Sequence, residues 1–148
     1  MSLVTREIVI DVPVERFFEL LVDYGRYPEF LPNLKACRVK KVRPSGEKEI
    51  EYELDLGLKR IRYTLLHREE PPLRNSWSLV AGEYLKVSNG SWDLADDGGK
   101  TRARYSLDVQ IAKPPLVPQG IIDRMSDELT KVQLPRTLEA FKVRAEKS

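Results

Sequence analysis

Apolar and polar residues alternate over long stretches of this chain, which predicts that most of it forms β-strands. The clearest stretch is Glu47–Leu56, where Ile, Tyr and Leu at every second position alternate with acidic residues. Leu58–Arg68 repeats the alternation with arginines on its polar side. Two-sided strands of this kind are typical of an antiparallel sheet with one face toward water. Further strands are predicted at Val4–Val12, Asn75–Ala81, Tyr84–Asn89 and on both sides of Asp97-Gly98.

Turn residues predict how two pairs of strands align. A tight turn at Leu56-Gly57 would place opposite charges together on the wet face and apolar residues together on the dry face. The pairs expected there are Glu53 with Arg60, Glu51 with Arg62, Tyr52 with Ile61 and Ile50 with Tyr63. A turn at Asp97-Gly98 is a strong hairpin signal. The pairs expected there are Trp92 with Ala103, Gly90 with Tyr105 and Asp93 with Arg102. A bulge is expected near Asn89-Gly90 because Leu85 and Val87 are out of phase with Trp92.

Apolar residues spaced three and four apart predict helices near both ends of the chain. After Pro13, one apolar helical face is formed by Val14, Phe17, Phe18 and Leu21. Gly25 ends that helix, and a second, very short helix is expected between Pro28 and Pro32. From Gly120 onward the pattern is helical again, with two apolar faces about 170° apart at about 100° per residue. The first face is Ile122, Met125, Leu129 and Val132, and the second is Leu134, Leu138, Phe141 and Ala145. Pro135 predicts a kink or break near Lys131–Pro135.

The order of these elements predicts an α+β fold. One strand, two short helices, about six strands and a long terminal helix would form an antiparallel sheet with helices on one face. A length of 148 residues fits one domain, residues 1–148.

Composition narrows the function classes. Lys and Arg number 25 against 23 Asp and Glu, and no block of like charge occurs, so DNA binding through a basic footprint is not indicated. Cys37 is the only cysteine, so no internal disulfide is possible. With no apolar run near 18 residues and no signal peptide at Met1–Asp11, we expect a cytoplasmic protein.

Recognisable catalytic and metal motifs are absent from the sequence. A lone His67 and a lone Cys37 cannot build a Cys/His zinc site, and neither a Gly-rich phosphate loop nor a Gly-x-Ser-x-Gly motif occurs. We therefore predict no metal, no cofactor and no catalytic residue. His67 shares the alternation of Ile61, Tyr63 and Leu65 and could point inward, but beside Arg68-Glu69-Glu70 it is interpreted as a solvated strand-end histidine. Cys37 is interpreted as a small buried hydrophobe.

Three short segments resemble one protein superfamily. Val22–Leu34 contains a Tyr-Pro-x-Phe-x-Pro pattern at Tyr27, Pro28, Phe30 and Pro32, Gly90–Leu94 reads Gly-Ser-Trp-Asp-Leu, and Ala140–Ala145 reads Ala-Phe-Lys-Val-Arg-Ala. The chain thus resembles START-like (polyketide cyclase/dehydrase and lipid-transport) domains, and within them the branch of coenzyme-Q-binding proteins and ribosome-association toxins. The resemblance implies a helix-grip fold, in which a curved antiparallel sheet of about seven strands wraps a long C-terminal helix around a cavity.

The dry faces of the strands and of the terminal helix supply the predicted ligand site. Tyr and Trp bury apolar area while keeping a polar tip, which suits a pocket for a small molecule. With the resemblance, this favours non-catalytic binding or transport of a quinone, an isoprenoid lipid or a polycyclic compound. The predicted ligand-binding residues are Tyr52, Leu54, Tyr63, Leu65, Trp77, Leu79, Trp92, Tyr105, Leu107, Ile122, Met125 and Leu129. The Pro-rich loop Ala112–Gln119 and the Pro135 break would let the first half of the terminal helix move as a lid.

Two other functions stay open at this stage. The first is a polyketide aromatase/cyclase, in which Tyr63, Tyr105 and His67 would be the first candidates for acid, base or hydrogen-bond donor. The second is an interaction module that makes a transient ribosome or membrane-surface contact. Its densest basic stretch would be Lys35, Arg38, Lys40, Lys41 and Arg43.

Overall fold

Seven antiparallel strands form one curved sheet in the order β1-β7-β6-β5-β4-β3-β2, and a long C-terminal helix follows them. The structure is a computed structural model that describes residues 3–57, 59–112 and 115–147. The strands are β1 Leu3–Ile10, β2 Leu34–Val42, β3 Lys48–Asp55, β4 Arg60–Glu70, β5 Arg74–Gly82, β6 Leu85–Asp97 and β7 Lys100–Ile111. The helical elements are α1 Val14–Leu21, a 3₁₀ helix Tyr24–Glu29, α2 Gln119–Asp127, a π-helical segment Glu128–Gln133 and α3 Leu134–Lys147. The predicted architecture is confirmed.

The first helix buries the face that its spacing predicted. Val14, Phe17, Phe18 and Leu21 are all buried. The second helix begins earlier than expected, at Tyr24, with Pro28 inside it rather than at its start. Pro28 is tolerated because the backbone bonds of this segment lie on either side of it, from Arg26 N to Asp23 O and from Phe30 N to Tyr27 O.

The three segments that carry the family resemblance meet at one side chain. Phe141 of α3 lies with its ring centroid 5.3 Å from Tyr27, 5.2 Å from Phe30 and 5.3 Å from Trp92, each in an edge-to-face arrangement. Such pairs stabilise a core beyond the apolar area that they bury. This aromatic cluster fixes the terminal helix against the sheet and the 3₁₀ helix.

The register of β3 with β4 differs from the prediction by two residues. Tyr52 pairs with Tyr63 and Glu53 with Arg62, not with Ile61 and Arg60. The strands end at Asp55 and resume at Arg60, so the connection is longer than the expected two-residue turn, and Leu56 N donates to Lys59 O across it. Leu58, where the second strand was expected to begin, lies outside the described residues. A shift of two keeps every side chain on its predicted face.

The β6–β7 hairpin is also shifted by two residues, in this case because its two-residue turn lies one position later than expected. Trp92 pairs with Tyr105 and Asp93 with Arg104, not with Ala103 and Arg102. The turn residues are Gly98 and Gly99, both at positive φ (62° and 90°), instead of Asp97-Gly98. Two consecutive residues at positive φ match the twist of a hairpin, and Gly-Gly supplies both without steric cost.

The bulge expected near Asn89-Gly90 lies elsewhere. The irregularity in β6 falls between Leu85 and Val87, while Gly90 pairs regularly with Leu107. Gly90 is needed for a different reason, since a Cβ there would come within 2.5 Å of the Trp77 ring and would also collide with Ser106 O. Glycine at this position lets the Trp77 ring pack directly against the backbone of β6.

The terminal helix contains a π-helical segment where a kink was predicted. Glu128–Gln133 changes phase between α2 and α3, so the two halves no longer follow one 3.6-residue period. The face Leu134, Leu138, Phe141 and Ala145 is buried as predicted. Val132 was wrongly placed on the inner face: it is 40% exposed, and the wider π turn directs Gln133, 5% exposed, inward instead.

Candidate functional site

A cavity of about 150 Å³ lies between the inner face of the sheet and the terminal helix, partly open to solvent. Its volume matches that of apolar protein cavities that hold one benzene ring. From the sheet it is lined by Leu34, Tyr52, Leu54, Ile61, Tyr63, Leu65, His67, Asn75, Trp77, Leu85, Ser88, Trp92, Tyr105, Leu107 and Val109. From the helices and the loop after the 3₁₀ helix it is lined by Tyr27, Leu31, Pro32, Leu129, Gln133, Leu134, Thr137 and Phe141.

Most of the residues predicted to bind a ligand line this cavity, although binding itself stays a prediction. Those in the wall are Tyr52, Leu54, Tyr63, Leu65, Trp77, Trp92, Tyr105, Leu107 and Leu129. Ile122 and Met125 are buried but lie outside the cavity wall, because they precede the π-helical segment where the helix reaches the cavity. Leu79 also lies outside it, on the part of β5 that no longer pairs with β6 beyond Trp77.

The polar end of the cavity, formed by His67 and Asn75 beside Tyr52, was not among the predicted ligand-binding residues. His67 is 3% exposed and Asn75 1% exposed, so the interpretation of His67 as a solvated strand-end residue is wrong. The reason is that β4 continues to Glu70, which leaves His67 well inside a paired strand opposite Trp77. The alternation of Ile61, Tyr63 and Leu65 is the signal that directs His67 inward.

A chain of hydrogen bonds leads from the cavity to the surface. Tyr52 Oη lies 2.6 Å from His67 Nε2, and His67 Nδ1 lies 3.0 Å from Asn75 Oδ1. Asn75 Nδ2 donates to Tyr24 Oη at 3.2 Å, and Tyr24 Oη donates to Glu69 Oε2 at 2.7 Å. Hydrogen-bond partners of this kind remove much of the cost of burying polar side chains.

Burial keeps the titratable groups of the cavity uncharged near neutral pH. Burial lowers the pKa of His67 to about 4, although its bond to Asn75 acts in the opposite direction. Burial likewise raises the pKa of the Tyr52, Tyr63 and Tyr105 phenols above the usual range. The site therefore presents neutral hydrogen-bonding groups to a ligand.

Aromatic rings form much of the remaining wall. Tyr52 and Tyr63 stack nearly parallel, with centroids 5.2 Å apart and planes 9° apart. Tyr105 lies 5.6 Å from Trp77 and 4.9 Å from Trp92. These flat surfaces suit a planar ring better than a branched aliphatic chain.

Cys37 is buried on β2 with a free thiol, as predicted. Burial raises the pKa of that thiol, which disfavours the nucleophilic thiolate. Within residues 3–57, 59–112 and 115–147, no three His, Cys, Asp or Glu side chains come together in a way that could hold a metal ion. In the same ranges no helix is both long and apolar enough to cross a membrane.

A curved seven-stranded antiparallel sheet around a long C-terminal helix, with a cavity between them, defines a START-like helix-grip protein. The chain belongs to the polyketide cyclase/dehydrase and lipid transport family, whose model matches residues 1–146. No curated protein sequence matches it.

Solved structures show the same fold at low sequence identity. The Zhui aromatase/cyclase from Streptomyces sp. R1128 superposes with a TM-score of 0.86 at 15% identity, covering 99% of this chain and 94% of that one. A START superfamily protein from Mycobacterium smegmatis gives 0.80 at 16% identity, covering 98% and 97%. A protein from Thermus thermophilus gives 0.82 at 19% identity, covering 97% of each chain.

Proposed function

We propose that this protein binds a hydrophobic small molecule in the cavity between the sheet and the terminal helix, and carries it without chemical change. The observation that supports this is an apolar, aromatic-walled cavity of about 150 Å³ with neutral polar groups at one end. That combination is the usual make-up of a small-molecule site. The ligand classes proposed are a quinone, an isoprenoid lipid or a polycyclic compound.

The size of the cavity favours a ligand with one ring inside. A space of about 150 Å³ accepts a single six-membered ring, and a fused polycycle needs the wall to move. A quinone with an isoprenoid tail meets this limit if the ring enters and the tail leaves through the open side. The resemblance of Tyr27-Pro28 and Phe30 to the coenzyme-Q-binding branch supports the same class of ligand.

The first test is organic extraction of the purified protein, followed by mass spectrometry and titration with a short-chain ubiquinone. Leu107→Trp fills the cavity from β7 and is expected to abolish binding. Val143→Trp introduces the same indole side chain on α3, where Val143 is 41% exposed and outside the cavity wall, and is expected to bind like the wild type. Thermal unfolding of both variants shows whether each is folded.

Two results would count against a carrier. One is an empty extract together with no binding of any quinone, prenol or polycycle by the folded wild type. The other is equal binding by the folded Leu107→Trp variant, which would place the ligand outside the cavity.

A polyketide aromatase/cyclase is the second candidate, favoured by one observation. The Tyr52 hydroxyl and the neutral His67 imidazole form a buried pair inside the cavity, and such a pair could move a proton on a confined substrate. The fold shared with the Streptomyces aromatase/cyclase is compatible with this role. Tyr63 and Tyr105, whose hydroxyls make no hydrogen bond to a described residue, would be further donors.

A turnover assay separates the enzyme from the carrier. A reactive poly-β-ketone analogue should cyclise faster with protein than in buffer, and His67→Gln should remove the acceleration while leaving the fold intact. Binding of the analogue without any acceleration would leave only the carrier.

A ribosome or membrane-surface contact is a third proposal, located on the edge strand β2. Lys35, Lys40 and Lys41 are exposed there, whereas Arg38 and Arg43 are paired with Glu51 and Glu49. Pairing leaves less free positive charge than the sequence suggests. Co-sedimentation with ribosomes or anionic vesicles at low salt tests this contact, and its absence there would exclude it.

A further inference from the structure

The hydrogen-bond chain behind the cavity has a charged outer end, which determines the atom that donates in each of its hydrogen bonds. Glu69 accepts from Lys48 Nζ at 2.9 and 3.1 Å, and side-chain exposure of both residues is below a third. A carboxylate held by an ammonium group has no proton to give and can only accept. The contact of 2.7 Å between Glu69 Oε2 and Tyr24 Oη therefore requires that the Tyr24 hydroxyl donate.

The same reasoning assigns the donor and the acceptor at Asn75, the next residue inward. Because the only proton of the Tyr24 hydroxyl is used on Glu69, its oxygen must accept from Asn75, and only the amide nitrogen of Asn75 can donate. The carbonyl oxygen of Asn75 then faces His67 Nδ1 at 3.0 Å. With the Tyr24 proton donated to Glu69, turning the amide over would place two acceptor oxygens, those of Asn75 and Tyr24, about 3.2 Å apart with no proton between them.

This order fixes the tautomer of His67 and the role of Tyr52. Nδ1 of His67 must carry the proton in order to donate to Asn75, so Nε2 of the neutral ring is an acceptor. Tyr52 consequently donates its one proton to Nε2 at 2.6 Å. With its proton donated to His67, the Tyr52 oxygen can only accept a further hydrogen bond, and Tyr52 lines the cavity.

We infer that the Tyr52 oxygen, at the polar end of the cavity, accepts a hydrogen bond from a ligand and does not donate one, so that a ring placed against Tyr52 is preferred when it bears a hydroxyl, such as a phenol or a quinol, over its carbonyl counterpart. This inference rests on the proposed function. It makes Glu69, which does not line the cavity, a positioning residue for ligand selectivity.

Nitrogen NMR tests the proton order without any ligand. His67 is the only histidine of the sequence, so its two ring nitrogens are assigned at once. Long-range ¹H–¹⁵N spectra at pH 7 should show the Nδ1–H tautomer. In Glu69→Gln the new amide can either donate or accept, so the chain is free to reverse and a mixture of tautomers is expected. Glu70→Gln is the matched control, because Glu70 is half exposed and pairs with Arg74, and it should leave His67 unchanged.

Ligand titration tests the selectivity with p-cresol, p-xylene and acetophenone as probes of about one ring. The wild type should bind p-cresol about tenfold more tightly than acetophenone, which corresponds to one well-placed hydrogen bond. Tyr52→Phe should reduce that ratio to about one while p-xylene still binds. Glu69→Gln should reduce the ratio several-fold, and Glu70→Gln should preserve it.

The outcomes separate the two levels of the proposal. Probe binding without any hydroxyl preference, or an Nε2–H tautomer in the wild type, overturns the inference and leaves the carrier function standing. No binding of any probe by the folded protein removes the carrier function, and the inference falls with it. An Nδ1–H tautomer with a hydroxyl preference that Glu69→Gln weakens supports both.

Discussion

At the scale of single residues, the buried His67 makes the stability of the fold depend on pH. Its ring is enclosed by Tyr24 at 4.9 Å, Trp77 at 5.6 Å and Tyr52 at 6.0 Å between centroids, with Lys48 and Glu69 as the charged groups nearby. Glu69 favours the protonated ring and Lys48 disfavours it, but burial outweighs both and keeps the ring neutral.

The buried histidine predicts a loss of stability in mild acid. The folded-state pKa of about 4 lies below the ordinary 6.5, so between these values the unfolded chain binds more protons than the folded one. The free energy of unfolding should therefore fall as the pH drops from 6.5 to 4, by about 3 kcal/mol in total. Urea unfolding across this range measures it.

His67→Gln is the control for this pH effect. Glu29 and Glu146 also have lowered pKa values, caused first by Arg144 and Lys142 respectively, and they act as the pH falls through and below about 4.5. The difference between the wild type and His67→Gln isolates the histidine. Parallel curves for the two proteins would show that the ring is not held neutral.

Gly90 is a second residue whose replacement has a definite expected cost. Gly90→Ala places a Cβ within 2.5 Å of the Trp77 ring and against Ser106 O, so the ring and the strand must both shift. A loss of about 2–3 kcal/mol is expected from overpacking of this kind, measured by urea unfolding. Gly120→Ala, with open space around its Cβ, should instead be neutral or slightly stabilising. Equal changes in the free energy of unfolding for the two variants would mean that the Trp77 ring can move away from the new Cβ without cost.

At the scale of elements, strand faces could be predicted from the sequence but strand registers could not. Alternation placed Tyr52, Tyr63 and Trp92 correctly on the inner face. Loops of two and of four residues preserve that alternation equally, so the pairing of Tyr52 with Tyr63 depended on a turn geometry that the sequence leaves ambiguous.

In the candidate site, residues on regular strand and helix faces could be predicted, whereas residues whose orientation depends on the π-helical segment could not. Nine wall residues follow from strand and helix faces alone. Gln133 and Thr137 could not be found that way, because the π-helical segment changes the helical phase just where the helix reaches the cavity. His67 and Asn75 were not predicted to line the cavity because a polar residue near a predicted strand end is usually solvated.

The first half of the terminal helix is the element predicted to move. Of the loop that precedes it, Lys113 and Pro114 lie outside the described residues. In α2 only Ile122 and Met125 are buried, whereas α3 buries four residues, so α2 has less apolar area that holds it in place. Amide hydrogens of Gly120–Lys131 should exchange faster than those of β3 and β4, and bound ligand should slow them. Protection equal to that of the central strands would contradict a lid.

At the scale of the whole molecule, the sheet is open and has two edges, β1 and β2. β2 carries exposed Val39 and Val42 among lysines, and its pairing with β3 is interrupted by two irregularities, at Leu34/Ala36 and Val39/Lys41. Charges and bulges on an edge strand prevent the addition of strands from other molecules.

That arrangement predicts an aggregation-prone variant. Lys40→Val together with Lys41→Thr would leave a run of β-branched residues on an exposed edge, and light scattering on mild heating should rise well before the protein unfolds. The control is Arg136→Val together with Lys147→Thr at two exposed positions of α3, which removes the same amount of positive charge. It should lower helical stability without the early rise in scattering. Identical scattering from both variants would dismiss the edge as the cause.

Trp77 and Trp92 are the only tryptophans in the sequence, and both belong to the cavity wall. All of the indole emission of the protein therefore originates beside the space that a ligand would fill. A bound quinone would quench that emission and an aliphatic lipid would shift its wavelength, so the unlabelled protein is its own optical sensor of occupancy.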